Sequence, residues 1–130
     1  MNTKQVIVMR KDLNMRKGKM IAQGSHASMA FLTRNISWAE GTAQLLLAHE
    51  HRVDVRSWLN NSFRKITVYV TSEEELRSVH QAALDKGLIS HLIEDNGATE
   101  FHGVMTPTCC AIGPHYDHLF EGVTDALPLL

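Results

Sequence analysis

Residues 65–71, KITVYVT, alternate without interruption: Ile66, Val68 and Val70 fall on one side of an extended chain, Thr67, Tyr69 and Thr71 on the other. That period of two marks a strand whose two faces meet different surroundings. Ser72 then stands three residues before Glu75, the spacing at which each side chain satisfies the other's exposed backbone N–H at a helix start. Leu76, Val79, His80, Ala83 and Leu84 recur at i, i+3, i+4, i+7 and i+8, and Gly87 follows as a helix stop. A strand feeding directly into an amphipathic helix commits the chain to an α/β design.

The remaining elements fit around that unit. KQVIVMR is a β-branched run between charges, as expected of a strand buried on both faces. From about Lys17 to about Thr33, Ala, Met, Gln and Leu replace the β-branched residues and predict a helix. Ser37 and Glu40 repeat the capping-box spacing and predict a second helix over AQLLLAH, continuing, whole or broken, through VRSWL to Asn60 and Asn61. LISHLIED and TCCAIGP read as two further strands, and Tyr116, Leu119, Phe120, Val123 and Leu127 as a last helix ended by Pro128. The order β-α-α-β-α-β-β-α predicts a mixed sheet covered by helices, and a chain of 130 residues suits one domain spanning 1–130.

Two features bound the setting. No apolar run approaches the roughly 18 residues of a membrane span, so neither insertion nor secretion is expected. Cys109 and Cys110, the only cysteines, are neighbours in an apolar strand, where a bridge between them would be strained, and a reducing cytoplasm is expected. The net charge of −1 argues against binding nucleic acid through bulk charge. Its distribution is uneven, however: residues 1–35 hold seven cations against one anion, and the remainder six against thirteen. A basic face aimed at phosphate or another anion and an ordinary solvated surface both fit that asymmetry.

At about 100° per residue, Lys19, Gln23 and His26 of the first helix lie within about 60° of one another, a narrow polar stripe. Small Ala22 and Ala30 flank it, and Met20, Ala27 and Phe31 gather to one side as the core face. Arg16, Lys17 and Lys19 crowd the helix start, where free backbone N–H groups and the helix dipole favour an anion. Taken singly, each residue also reads as a solvated lysine, a local cap or a half-buried histidine. A second polar group, EDNGATEFHGVMTPT, puts Asp95 at a strand end, followed by Thr99, Thr106 and Thr108. Strand ends beside loops are where α/β sheets present their chemistry, although Asp-Asn-Gly is also strong turn chemistry. His49-Glu50-His51 and His115-x-x-His118 match no strong metal spacing, and no Gly-rich phosphate loop is present, so neither metal nor cofactor is expected. Cys110 as a nucleophile would need a basic neighbour that its apolar strand does not offer.

VIVMRKDLNMRKGKMIAQGSHAS (residues 6–28), LIEDNGATE (92–100) and TPTCCAIGP (106–114) together resemble the type 2, archaeal and eukaryotic-type, peptidyl-tRNA hydrolase family, in order and over most of the chain. The resemblance implies a four-stranded mixed β-sheet flanked by helices, a homodimer, and a peptidyl-tRNA substrate cleaved at the ester between the peptide and the 3′ ribose. It also implies that Lys19, Gln23, His26, Asp95, Thr99, Thr106 and Thr108 form the catalytic set. His26 or Asp95 would orient or deprotonate water, and Lys19 would neutralise the oxyanion or a nearby phosphate. Gln23 would donate to the carbonyl and the threonines would hold the 3′ end. A threonine nucleophile lacks an evident base. Lys11, Arg16 and Lys17 would contact RNA phosphates. The segment between the first helix and KITVYV is longer than the family's usual spacing, and Met105 and Pro107 alter its habitual Gly-Thr-x-Thr. The rival readings are a non-catalytic RNA-binding or protein-interaction module on the same fold, and metal-assisted hydrolysis through the histidines.

Overall fold

In the computed structural model, which describes residues 2–98 and 101–130, strand β1 (Thr3–Arg10) is the spine of the sheet. It pairs in parallel with β4 (Lys65–Val70) on one side and antiparallel with β6 (Thr106–Tyr116) on the other. β5 (Ser90–Asp95) adds to β6, giving the mixed four-stranded order β4-β1-β6-β5. Enclosure on both edges and both faces explains the unbroken apolar run of β1 over residues 6–9. Val6 and Val8 face one side, where Leu76, Val79 and Ala83 of α3 (Glu73–Asp85) pack with Val68, Val70, Cys110 and Ile112. Ile7 and Met9 face the other, against Ala27 and Ala30 of α1 (Lys17–Thr33), with Ile93, Cys109 and Ala111. The Ser72 hydroxyl accepts the Glu75 N–H at 3.0 Å, so this half of the expected box forms and α3 begins where the spacing predicts.

The second expected box does not form. Ile36–Ala39 (β2) and Thr42–Leu45 (β3) make an antiparallel hairpin with Trp38 opposite Ala43, in place of the helix expected from Ser37. The reason lies at its tip, where Glu40 and Gly41 both have positive φ, 50° and 78°, the two-residue turn that matches strand twist. The second helix, α2, begins only at Arg52 and runs Arg52–Asn60 after a 3₁₀ turn at His49–His51. It docks Val55 and Trp58 against Phe31 and Ile89, with the Phe31 and Trp58 rings edge to face at 5.9 Å. The expected last helix is likewise only a 3₁₀ turn, Asp117–Phe120, because β6 runs on through Tyr116 and Gly122, at φ 76°, breaks any continuation. Phe120 is nonetheless buried. The chain end lies along the open edge of β4, with the Tyr69 N–H donating to Pro128 and the Leu130 N–H to Thr67.

A buried imidazole joins α2 to β6. His115, 1 % exposed, accepts the Ile89 N–H on Nε2 at 2.8 Å, so its proton sits on Nδ1, 3.0 Å from Asp54 Oδ2. Burial pushes the pKa of His115 below the ordinary histidine value despite Asp54, and burial shifts His80 and His91 the same way. The unfolded chain therefore binds protons on these rings before the folded one does. Stability to urea is expected to be full at about pH 7 and to fall as the pH drops through about 6.5 towards 5. His115→Gln should flatten that slope, and equilibrium unfolding followed by circular dichroism at several pH values measures it. A wild-type profile that is level over this window would show that the rings do not resist protonation.

Candidate active site

The loop after β1 turns at Asn14, with φ 52°, and Met15 is buried beneath it, which brings the start of α1 over the ends of β5 and β6. Arg16 caps the helix in extended conformation without a side-chain hydrogen bond, and no acidic residue occupies the first turn. The first N–H groups of α1 are thus left to solvent or to an anion. Arg16 and Lys17 are exposed there, and Lys11 lies with its ammonium 4.4 Å above the Tyr69 ring at the neighbouring strand end.

Lys19, Gln23 and Asp95 meet. Lys19 Nζ donates to Asp95 Oδ1 at 2.9 Å, and Gln23 Nε2 donates to the same oxygen at 3.3 Å. The other carboxylate oxygen accepts the Gly97 N–H at 2.9 Å. Gly97 is required at that point: its φ is 79°, and any Cβ would collide with the backbone of Val104. Gln23 is only 3 % exposed, and its Oε1 accepts the Thr108 hydroxyl at 2.6 Å. The amide is therefore directional, receiving from β6 and donating to β5.

Thr108 owes its aim to a β-bulge. Ile93 pairs with Cys109 and Glu94 with Pro107, so Thr108 has no residue opposite it. An extra residue in one strand breaks the alternation of faces. The Thr108 hydroxyl turns to the α1 side, where Cys109 also packs, with the Cys109 thiol donating to the Gln23 carbonyl at 3.4 Å.

Electrostatics follow from these bonds. The hydrogen bond from Lys19, helped by the Gly97 N–H and by the charges of Lys19 and His26, holds Asp95 below the usual carboxylate range against the opposing effect of burial. Asp95 is thus an ionised acceptor already engaged by three donors, a poor base and a good anchor for Lys19. The two side chains are 15 % and 12 % exposed, so removing one partner would leave the other poorly solvated and unpaired. His26 shares the stripe but is exposed, and its ring makes no hydrogen bond among the described residues. Lys19 also stands 5.7 Å from the Phe101 ring.

The other expected site residues separate. Thr106, opposite Asp95 in the ladder, donates to the nearby Val104 carbonyl and does not join the amide network. Thr99 lies outside the described residues. Thr108 is fully buried with its proton committed to Gln23, which removes it as a nucleophile. Among the described residues no group of three His, Cys, Asp or Glu is arranged to hold a metal. Burial raises the pKa of both thiols, Cys109 to about 11 and Cys110 further. Sequence reasoning gave no role to Arg10, a buried cation at the end of β1 that reaches Pro107 and Asp12, although it stands in the stretch 6–28 that carries the resemblance. A separate apolar groove of about 480 Å³ opens on the opposite flank of α1, between Met20, Ile21 and Met29 and the β1–β4 side of the sheet.

A family model described as peptidyl-tRNA hydrolase PTH2 matches residues 3–130. A protein of Methanopyrus kandleri named peptidyl-tRNA hydrolase is 37 % identical over 127 residues, 98 % of this chain and 97 % of its own. One of the same name from Methanocaldococcus jannaschii is 37 % identical over 128 residues, 98 % of this chain and 99 % of its own. A probable peptidyl-tRNA hydrolase 2 of Dictyostelium discoideum is 36 % identical over 126 residues, 97 % of this chain but 54 % of its own length. With the family model covering all but the first two residues, the chain belongs to the PTH2 peptidyl-tRNA hydrolase family.

Proposed function

We infer that the protein hydrolyses peptidyl-tRNA, cleaving the ester that joins a peptide to the 3′ ribose. The observation that carries this reading is the Lys19–Asp95–Gln23–Thr108 network, which fixes a cation on the helix stripe that also carries the exposed His26. Ester hydrolysis asks for an aligned water, a proton acceptor and a donor for the tetrahedral oxyanion. His26, exposed and with no competing hydrogen bond among the described residues, takes the proton from water. Lys19 neutralises the oxyanion, and Asp95 holds Lys19 in position. The buried Gln23 amide steadies Asp95 and does not itself reach the substrate carbonyl. Thr106, opposite Asp95 at the strand end, and Thr99 hold the 3′ end of the RNA. Every group this mechanism uses is a side chain of the protein, so we propose that the reaction runs without a metal.

Lys11, Arg16 and Lys17 form the phosphate-binding edge, beside the uncapped start of α1. We further propose a homodimer that buries the apolar groove: Ile21 is 69 % exposed and Met29 53 %, both on its rim. The free, buried Cys109 and Cys110 suit the cytoplasm.

Three outcomes are expected. In single-turnover release of peptide from N-blocked aminoacyl-tRNA, with or without chelator, Lys19→Ala should lose about 10²- to 10³-fold in rate, the scale of an oxyanion donor. His26→Ala should lose activity comparably and Asp95→Asn less, whereas a Lys19→Ala protein at the wild-type rate would sink the assignment. Arg16→Ala with Lys17→Ala should raise KM, leave kcat nearly unchanged, and flatten the salt dependence of tRNA binding by about one log-log unit per lost contact. In light scattering the wild type should run at twice the 14.6 kDa chain mass and Met29→Lys at the single-chain mass. A wild type at the single-chain mass would exclude the dimer.

A further inference from the structure

The ladder between β1 and β6 ends at Met9 opposite Cys109, and the Lys11 N–H turns away to Val70 of β4. Beyond that point the bulged end of β6 has lost its backbone partner on the β1 side. A side chain replaces it. Arg10 Nη1 donates to the Pro107 carbonyl at 3.0 Å, one residue from Thr108. The same guanidinium grips Asp12 with two bonds, from Nε to Oδ1 at 3.2 Å and from Nη2 to Oδ2 at 2.7 Å, and lies 3.8 Å from Glu73 at the start of α3.

We propose that Arg10 is a positioning residue: it clamps the bulge in β6 and thereby sets the Thr108 hydroxyl that orients the Gln23 amide against Asp95. Three details support this role over simple charge pairing. Arg10 is buried, at 8 % exposure, where a guanidinium without directed partners would be costly. Its planar fork satisfies a carboxylate and a carbonyl at once, which a lysine ammonium on a flexible stem does not do with fixed directions. The atom it reaches belongs to Pro107, which has no N–H to pin this turn of the strand through its own ladder bond. Asp12, held by the same group, begins the loop that delivers α1, so both sides of the Gln23–Thr108 bond are referred to one cation.

The kinetic part of this proposal rests on the peptidyl-tRNA reading, and the test separates the two. In Arg10→Met, of similar length but without donors, the side-chain amide signals of Gln23 in a ¹⁵N correlation spectrum should move. The kcat for peptide release should fall about tenfold with KM little changed, a misplacement effect. Arg10→Lys should be intermediate in both, and Arg10→Met combined with Thr108→Val should lose no more kcat than Thr108→Val alone. Unmoved Gln23 signals in the folded variant, or losses that multiply in the double variant, would overturn the proposal. Should Arg10→Met not fold, Arg10→Lys carries the same readouts. If the wild type releases no peptide, the reaction assignment fails while the Gln23 signals still decide the role of Arg10.

Discussion

A buried primary amide has two donors and a carbonyl to satisfy, and satisfying them in one arrangement fixes whatever carries them. Two such amides attach α1 to the sheet. Gln5, wholly buried in β1, exchanges hydrogen bonds with Ser28, donating to its carbonyl at 3.0 Å and accepting its hydroxyl at 2.6 Å. Gln23 does the corresponding work toward β6 and β5. Apolar packing of Ala27 and Ala30 against Ile7, Cys109 and Ala111 supplies attraction without direction, whereas the two glutamines set where along the strands the helix stops. The height of Lys19 above Asp95 is a consequence of that setting.

The charged pair fixes geometry more than it adds stability. A carboxylate and an ammonium this sheltered gain from each other roughly what they lose in hydration, so the pair adds little net stability. What it provides is a cation held at a fixed point with its counter-charge behind it. The Gly97 N–H and the Gln23 amide share Asp95 with Lys19, so the carboxylate is held by three donors at once.

How much of this could be read from the chain depended on whether a pattern was local. Ser72/Glu75 and Ser37/Glu40 have identical spacing, yet one starts a helix and the other a hairpin. Glu73 and Glu74 fill the first turn of α3 with acids that suit a helix start, while Gly41 next to Glu40 allows the left-handed turn that closes β2 on β3. The stripe of Lys19, Gln23 and His26 was legible because helical periodicity is fixed. Thr106 and Thr108 looked equivalent at i, i+2, and they differ because a bulge between Pro107 and Cys109 turns one of them inward. Bulges arise from pairing between distant segments, and no residue of β6 announces one. The contact made by Arg10 was hidden for the same reason: its partner Pro107 lies 97 residues along the chain.

Among the described residues the β2–β3 hairpin pairs only with itself and shares no rung with the four-stranded sheet, although Leu45 leans on the Phe31, Val55 and Trp58 cluster. Lengthening or shortening a self-closed ribbon changes loop entropy by little and leaves the strand registers alone. Changes in this appendage, its outward Trp38 included, leave the distances among α1, β5 and β6 untouched. A contact made there leaves the Lys19–Asp95 pair, near the other end of α1, in place.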